Sequence, residues 1–523
     1  MSQEAESPNQ LKLPEPQPYV DYYDTAHHHK YSEGAFLYGK KHGTWTYYYR
    51  NGKKQEESNY NLGQLSGSVR YWYDNGMRQS EGYFKLYFQD GVLISLRDSI
   101  YQEWYPNGNQ KLKGRFYYDV RDGLWEYWFS DGQPWKTIYY KKGKPMPVRG
   151  WNREGEQTLK DGNGRLFDYH ENGHLAAVLS VQDSLFSGLA EYYNEHAQLT
   201  TTGVLVDNQR HGIWHFYYDD GKPWKDVSYD HGTLDGPYKN WYPNGKLSVE
   251  GQYADGKKEG QWVWYNSNGK VYMRGSFHQG KQHGLWTYYF DNGQTEATGR
   301  FENDLRQGEW NMFYKNGAKW KIGNYLDDKK HGHWRVFFEN GRVLHEGEFV
   351  HGKEHGLWMS WYENGQKKDE GSYDMGIMDG EWTGWYPNGE LNYKGRRDKG
   401  LRTGEWVFGY QNGKVREKGN YVNDLKDGHW VYYYPSGLVD YECDYRNGMK
   451  HGKCTYYYEH GAKLRQESYE NDRLHGKSMM WSPEGKLLNV RHYRDGVLHG
   501  KAIDYDENGN VLDEYNFKNG LRE

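Results

Sequence analysis

The side chains best suited to chemistry in this sequence recur in rows rather than gather at one place. Eight histidines, His42, His211, His283, His331, His355, His451, His475 and His499, each stand immediately before a glycine that returns along the chain. Imidazole is a common zinc ligand, so such a column raises the question of a metal site. Asp235, Glu259, Gln307, Asp379 and Thr403 hold the same place elsewhere, which suits a polar turn residue instead. Equivalent atoms of successive hairpins would also lie about 10 Å apart, whereas the ligands of one zinc sit about 2 Å from it. His27, His28 and His29, near Asp21 and Asp24, could hold a metal, but their setting favours a mobile tail. No metal and no cofactor are expected.

Catalysis fares no better. Serine, histidine and aspartate are abundant, yet none stands outside the repeating pattern in a nucleophile-elbow or triad-like context, and no glycine-rich phosphate loop follows a strand and opens a helix. An active site needs a few unlike groups converging on one point. The expectation is a chain that is not an enzyme. The remaining chemistry is that of aromatic rings, which pack on one another or stack on a ligand such as a sugar.

The elements that must position these rings follow from composition. Of 523 residues only 35% are hydrophobic, and the mean hydropathy is −1.16, values that point to disorder in a chain poor in aromatics. Here 18% are aromatic, with 53 Tyr and 23 Trp, so a thin core of packed rings replaces the usual aliphatic one. The charge of −5 is mixed along the sequence, without the basic block that nucleic acid requires. Two cysteines exclude a disulfide framework and four-thiolate zinc. No stretch reads as a membrane span or a signal peptide. As written, the chain is expected to be soluble and cytoplasmic; if Ser2-Gln3-Glu4 is a mature start with an added Met, the natural protein is exported.

Residues 1–30 read as a flexible lead, and repeats follow. Their mark is an Asn-Gly or Asp-Gly turn after aromatics, as in Trp241-Tyr242-Pro243-Asn244-Gly245. Such a segment makes a type I turn closed by a left-handed glycine, a three-residue hairpin connection. The turn glycine returns every 24 residues from Gly173 to Gly509, with Ala197 in its place once. Two further columns tolerate positive φ: glycine nine residues before the turn, and Gly, Asp or Asn eleven after it. They predict a second turn joining each hairpin to the next. Residues 31–138 carry the same unit with an irregular insertion near 85–100. Residues 139–163, with Lys141, Lys142, Lys144, Pro145 and Pro147, read as an irregular insertion or hinge. Residues 164–523 form the regular array, ending in a degenerate cap.

Eleven Gly and Trp pairs stand eleven residues apart across the second turn, among them Gly34 and Trp45, Gly251 and Trp262, and Gly371 and Trp382. They should face each other on neighbouring antiparallel strands, the indole lying over the bare glycine. Cys443 and Cys454 take one such pair of places, so their Cα atoms should lie within about 7 Å and permit a disulfide. Four residues before the turn glycine runs another aromatic column, including Tyr217, Trp241, Tyr289, Trp361, Trp385 and Trp481. Alternation puts it on the opposite face, where it is the candidate binding surface.

The pattern Gly-x-Trp-x-x-aromatic-aromatic-x-Asn-Gly followed by Glu-Gly-x-Tyr, as in Gly356-Leu357-Trp358 to Gly365 and Glu370-Gly371-Ser372-Tyr373, resembles MORN-type repeats. It is most similar to the variant of YwqK-type antitoxin-like proteins, over about residues 31–523. The resemblance implies an all-β, single-layer meandering sheet of antiparallel hairpins used for protein or membrane-surface association, and its antitoxin label implies neutralising a partner by binding. The function expected is a non-catalytic scaffold for a protein partner. Glycan or cell-surface binding through the aromatic columns, or tethering to a membrane surface, are the alternatives.

Overall fold

The computed structural model describes residues 14–523, and every regular element among them is a β-strand. Two compact units, residues 1–257 and 258–523, share one plan, an antiparallel meander of strands paired with their chain neighbours. The exception is Val92–Arg97, which pairs only with Arg78–Gln89, while Arg78–Gln89 also pairs with Ser99–Trp104.

One repeat of the second unit shows how the sequence builds it. Strand Lys353–Trp361 enters a turn in which Gly365 N–H donates to the Tyr362 carbonyl (2.8 Å) and Tyr362 N–H to that of Gln366 (2.8 Å). Gly365 has φ +92°, the left-handed conformation that closes a type I hairpin. The Asn364 carboxamide accepts from Gln366 N–H (2.9 Å) and donates to the Pro387 carbonyl one repeat ahead (2.8 Å), which explains the preference for Asn before the glycine. Strand Lys367–Asp374 then returns to a two-residue turn, Met375-Gly376, with φ +48° and +90°. Positive φ at both positions is the type I′ geometry whose twist matches that of the strands.

The expected facing of Gly and Trp is present. Gly371 lies opposite Trp382 on the next strand and opposite Trp358 on the previous one. A methyl group added at Gly34, Gly114, Gly203, Gly275, Gly299, Gly323, Gly347, Gly371, Gly395 or Gly419 would overlap the indole eleven residues ahead. Each indole also donates to a backbone carbonyl, as from Trp382 to Ser372 (3.2 Å) and from Trp430 to Asn420 (2.9 Å), so burial leaves its N–H paired. A Phe or Tyr meets it edge to face: Tyr325 and Trp334 at 5.1 Å and 89°, Tyr373 and Trp382 at 5.2 Å and 89°. Such contacts contribute roughly 0.5–1.5 kcal/mol each beyond area burial, and their repetition supplies the core.

Four expectations need correction. The glycine nine residues before the turn is not in a turn. Gly356, φ +67°, sits in a bulge within its strand, where the register shifts between Gly347 and Glu348, and this bulge carries Trp358 to its carbonyl acceptor, Glu348. The flexible lead is shorter than residues 1–30, of which 1–13 lie outside the described residues. Gln17–Tyr22 is a strand paired with Lys30–Leu37; Tyr19 lies 5.7 Å from Trp45, and Asp24 accepts from the His28 and His29 amides.

The segment 139–163 is not irregular but a shortened hairpin. Its strands Lys144–Trp151 and Gln157–Lys160 meet at a turn closed by Gly155, φ +81°. Trp135 and Lys136 reach over it to the Phe167 carbonyl (2.9 Å) and the Asp168 carboxylate (2.8 Å). The insertion near 85–100 is likewise ordered, as a hairpin of Arg78–Gln89 and Val92–Arg97.

Candidate functional site

The candidate binding column is held from behind by its own neighbours. Where a tyrosine follows a member, it donates its hydroxyl one repeat ahead to the carbonyl of the residue at the next column position: Tyr218 to Trp241 (2.7 Å), Tyr362 to Trp385 (2.9 Å), Tyr458 to Trp481 (3.0 Å). Phe290 and Ser482 follow Tyr289 and Trp481 instead. These tyrosine struts were not singled out in the sequence, although they fall on the 24-residue period and each reaches 23 residues ahead. The rings themselves, Tyr217 and Trp241 in the first unit and Tyr289, Trp361, Trp385 and Trp481 in the second, are all half-buried. Cations lie beside two of them, with Arg274 5.6 Å from Tyr289 and Lys367 5.7 Å from Trp385. The column therefore offers ring edges interleaved with charge rather than bare aromatic platforms.

A second surface was missed. At the edge bearing the two-residue turns of the second unit, four successive repeats expose an aliphatic side chain at the same place: Ile377 (52% exposed), Leu401 (42%), Leu425 (48%) and Met449 (39%). Successive members stand about 10 Å apart, two strand spacings. Lys329 and Lys353 take this place in the two repeats before, so the apolar ridge begins abruptly. The signal was legible as a break in a lysine column.

Cys443 and Cys454 face each other with Cα atoms 4.1 Å apart and are joined as a disulfide, both fully buried. They fill the space that glycine and indole fill elsewhere.

Among the described residues one group could hold a metal, His211 with Asp230 and His231, whose ligand atoms lie within 4.8 Å of one another. It arises where His231 replaces the usual first residue of a two-residue turn beside the histidine column. Asp230 and His231 are exposed, and His211 lies 3.2 Å from the Asp230 carboxylate. Near the start of the array, the amide of His28 and the ring of His29 hold the Asp24 carboxyl down to about 2. No described helix is long and apolar enough to cross a membrane.

Hairpins of this kind, each one repeat long and bonded to its neighbours, define a β-hairpin repeat array. The model of the MORN repeat variant matches residues 41–62, 121–142, 210–231, 234–255, 258–279, 282–303, 330–351, 354–375, 378–397, 402–423, 426–447, 450–471 and 498–519, and the chain belongs to that family. No curated protein matches it. Among solved structures it is similar to a chain of TcdB2-TccC3-Cdc42, at 10% identity and a TM-score of 0.13 over 96% of this chain and 31% of the other. The same figures, apart from 30% of the other chain, describe its likeness to the Photorhabdus luminescens Tc holotoxin pore. This chain thus spans about a third of the length of those it matches.

Proposed function

We propose that this chain is a non-catalytic scaffold that binds a protein partner, the YwqK-type resemblance making neutralisation of that partner the specific form of the role. The observation that supports this reading is the ridge of Ile377, Leu401, Leu425 and Met449. Exposed aliphatic side chains aligned on a rigid support lose water favourably only when something covers them. Affinity capture with the full chain and with Leu401→Glu/Leu425→Glu tests it. A partner held by the wild type, and lost from a variant with unchanged melting, is the expected result. Equal recovery from both proteins excludes the ridge.

A second reading, glycan or cell-surface binding, draws on the half-exposed rings of Tyr289, Trp361 and Trp385, since partly exposed indoles stack on sugar rings. A glycan array separates it from the first.

A further inference from the structure

In most repeats of the second unit the indole is covered by a cation from its own strand, four residues earlier. Lys258 lies 4.5 Å from Trp262, Lys330 4.8 Å from Trp334 and 4.6 Å from Phe349, and Lys426 4.1 Å from Trp430. Arg306 and Arg402 cover Tyr325 and Tyr421 at 4.0 and 3.9 Å. Each cation sits on the electron-rich face of a ring that the fold has partly taken from water.

Three repeats break this rule: Gln282 stands before Trp286, and two further exceptions are consecutive. Beside Trp358 the cation is replaced by Glu354, and beside Trp382 by Met378. In those two consecutive repeats the residue two after the indole, which is the larger Trp264, Tyr288, Met312, Val336, Phe408 or Tyr432 in the other indole-bearing repeats of this unit, is reduced to Ser360 and Gly384. The combined loss opens a cavity of about 420 Å³ walled by Trp358, Tyr373, Trp382 and Tyr393. Trp358 is only half-buried, whereas Trp334 and Trp382 on either side are buried.

The polar groups of the cavity are arranged for a positive guest. Ser360 and Tyr393 donate to the two oxygens of Asp369, at 3.0 and 2.6 Å, which orients the carboxylate. Burial, reinforced by that bond, pushes the Tyr393 hydroxyl up, so it remains a donor. Glu354 also lines the cavity, and no Lys or Arg among the described residues forms an ion pair with it or with Asp369. Burial, with Lys330 and Lys321 nearby, lowers the titration of His345 and so favours its neutral imidazole. The Arg397 guanidinium, whose charge is felt at Tyr393 and Tyr373, donates to the Gly400 carbonyl (2.6 Å) and lies 5.6 Å from the Trp406 ring rather than pairing with either carboxylate.

We infer that this cavity is a receptor for an alkylammonium group supplied from outside the chain, which takes the place that a lysine or arginine fills in the neighbouring repeats. The rings provide the cation–π walls, and Asp369 with Glu354 neutralises the charge. A free quaternary amine and a lysine side chain of another protein share this chemistry. The site is separate from the exposed ridge and does not depend on a partner there.

Isothermal titration of the full chain tests the inference with three probes: choline, its neutral isostere 3,3-dimethylbutanol, and N-acetyl-lysine amide. At least one of the two cations should bind, and the isostere about tenfold more weakly than choline if choline is the one. Preference for choline identifies a free amine as the source, and preference for the lysine derivative identifies a protein side chain. Glu354→Lys restores the internal cation and should abolish binding without lowering the melting temperature. Gln282→Lys, beside Trp286 where Tyr288 leaves no gap, should leave binding unchanged. If Glu354→Lys does not fold, Asp369→Asn, which keeps the side-chain shape, should weaken binding about tenfold instead. Absence of binding by both cations, equal binding of choline and its isostere, or undiminished binding by a folded Glu354→Lys protein overturns the assignment.

Discussion

The six-membered ring of Trp382 lies across the bare Cα of Gly371, and on the opposite side the same glycine faces Trp358. One missing side chain thus makes room in a row of indoles that runs across the strands.

Gly371→Val should therefore destabilise the second unit by roughly 1–3 kcal/mol, because the added atoms must displace an indole that is already packed. Thermal melts measure this. A variant that melts with the wild type would show that the indole is free to move.

Removing Trp361 and Trp385 together should reduce partner capture more than it reduces the melting temperature. Both rings are half-buried and keep an open edge, and repeated contacts along one rigid surface act multivalently. If the loss is wholly one of stability, and the folded fraction binds normally, this face serves packing alone.

Non-reducing peptide maps should recover Cys443 and Cys454 in one linked pair. Their separation of 11 residues closes a short loop, for which chain entropy gives about 2–3 kcal/mol of stabilisation. Cys443→Ala/Cys454→Ala should lower the melting temperature accordingly, and an unchanged melt would show that the bond contributes nothing.

Alkali should unfold the chain before its phenols titrate freely. Burial, joined by Glu103 at Tyr101 and by Glu33 at Tyr48, pushes these hydroxyls up to about 12, and burial does the same at Tyr60 and Tyr441. Between an ordinary value of 10.0 and about 12 the folded chain keeps protons that the unfolded chain releases. Stability must then fall as pH rises through that window and level off above it. Urea melts at about pH 9 and about pH 11 check this, and equal midpoints would contradict it.

The sequence disclosed the register because one period governs both partners of each Gly and Trp pair. It also disclosed the three-residue turns, whose Asn-Gly signature has a single geometric use. The glycine of the bulge misled because positive φ serves turns and bulges alike, and only the ladder separates Gly356 from Gly352. Gly155 escaped because Arg153-Glu154-Gly155 lacks the Asn or Asp and breaks the spacing. The half-burial of Trp361 and Trp385 was hidden as well, since alternation assigns a face but not what the neighbouring strands place on it. The cavity at Asp369 required reading two columns together, where Glu354 and Ser360 depart in the same repeat.

The tyrosine struts have a mechanical consequence. Tyr362 reaches 23 residues ahead to Trp385, and Tyr386 reaches the same distance to Gly409, so each tie joins adjacent hairpins and none brings distant stretches of chain together. Folding then needs only short loops to close, and it can start at any well-formed pair of repeats and spread outward. A pull on the end of such a unit would meet one hairpin at a time, each releasing its 24 residues and leaving the next as the new end, so that it would yield in equal steps, like a zip fastener drawn tooth by tooth.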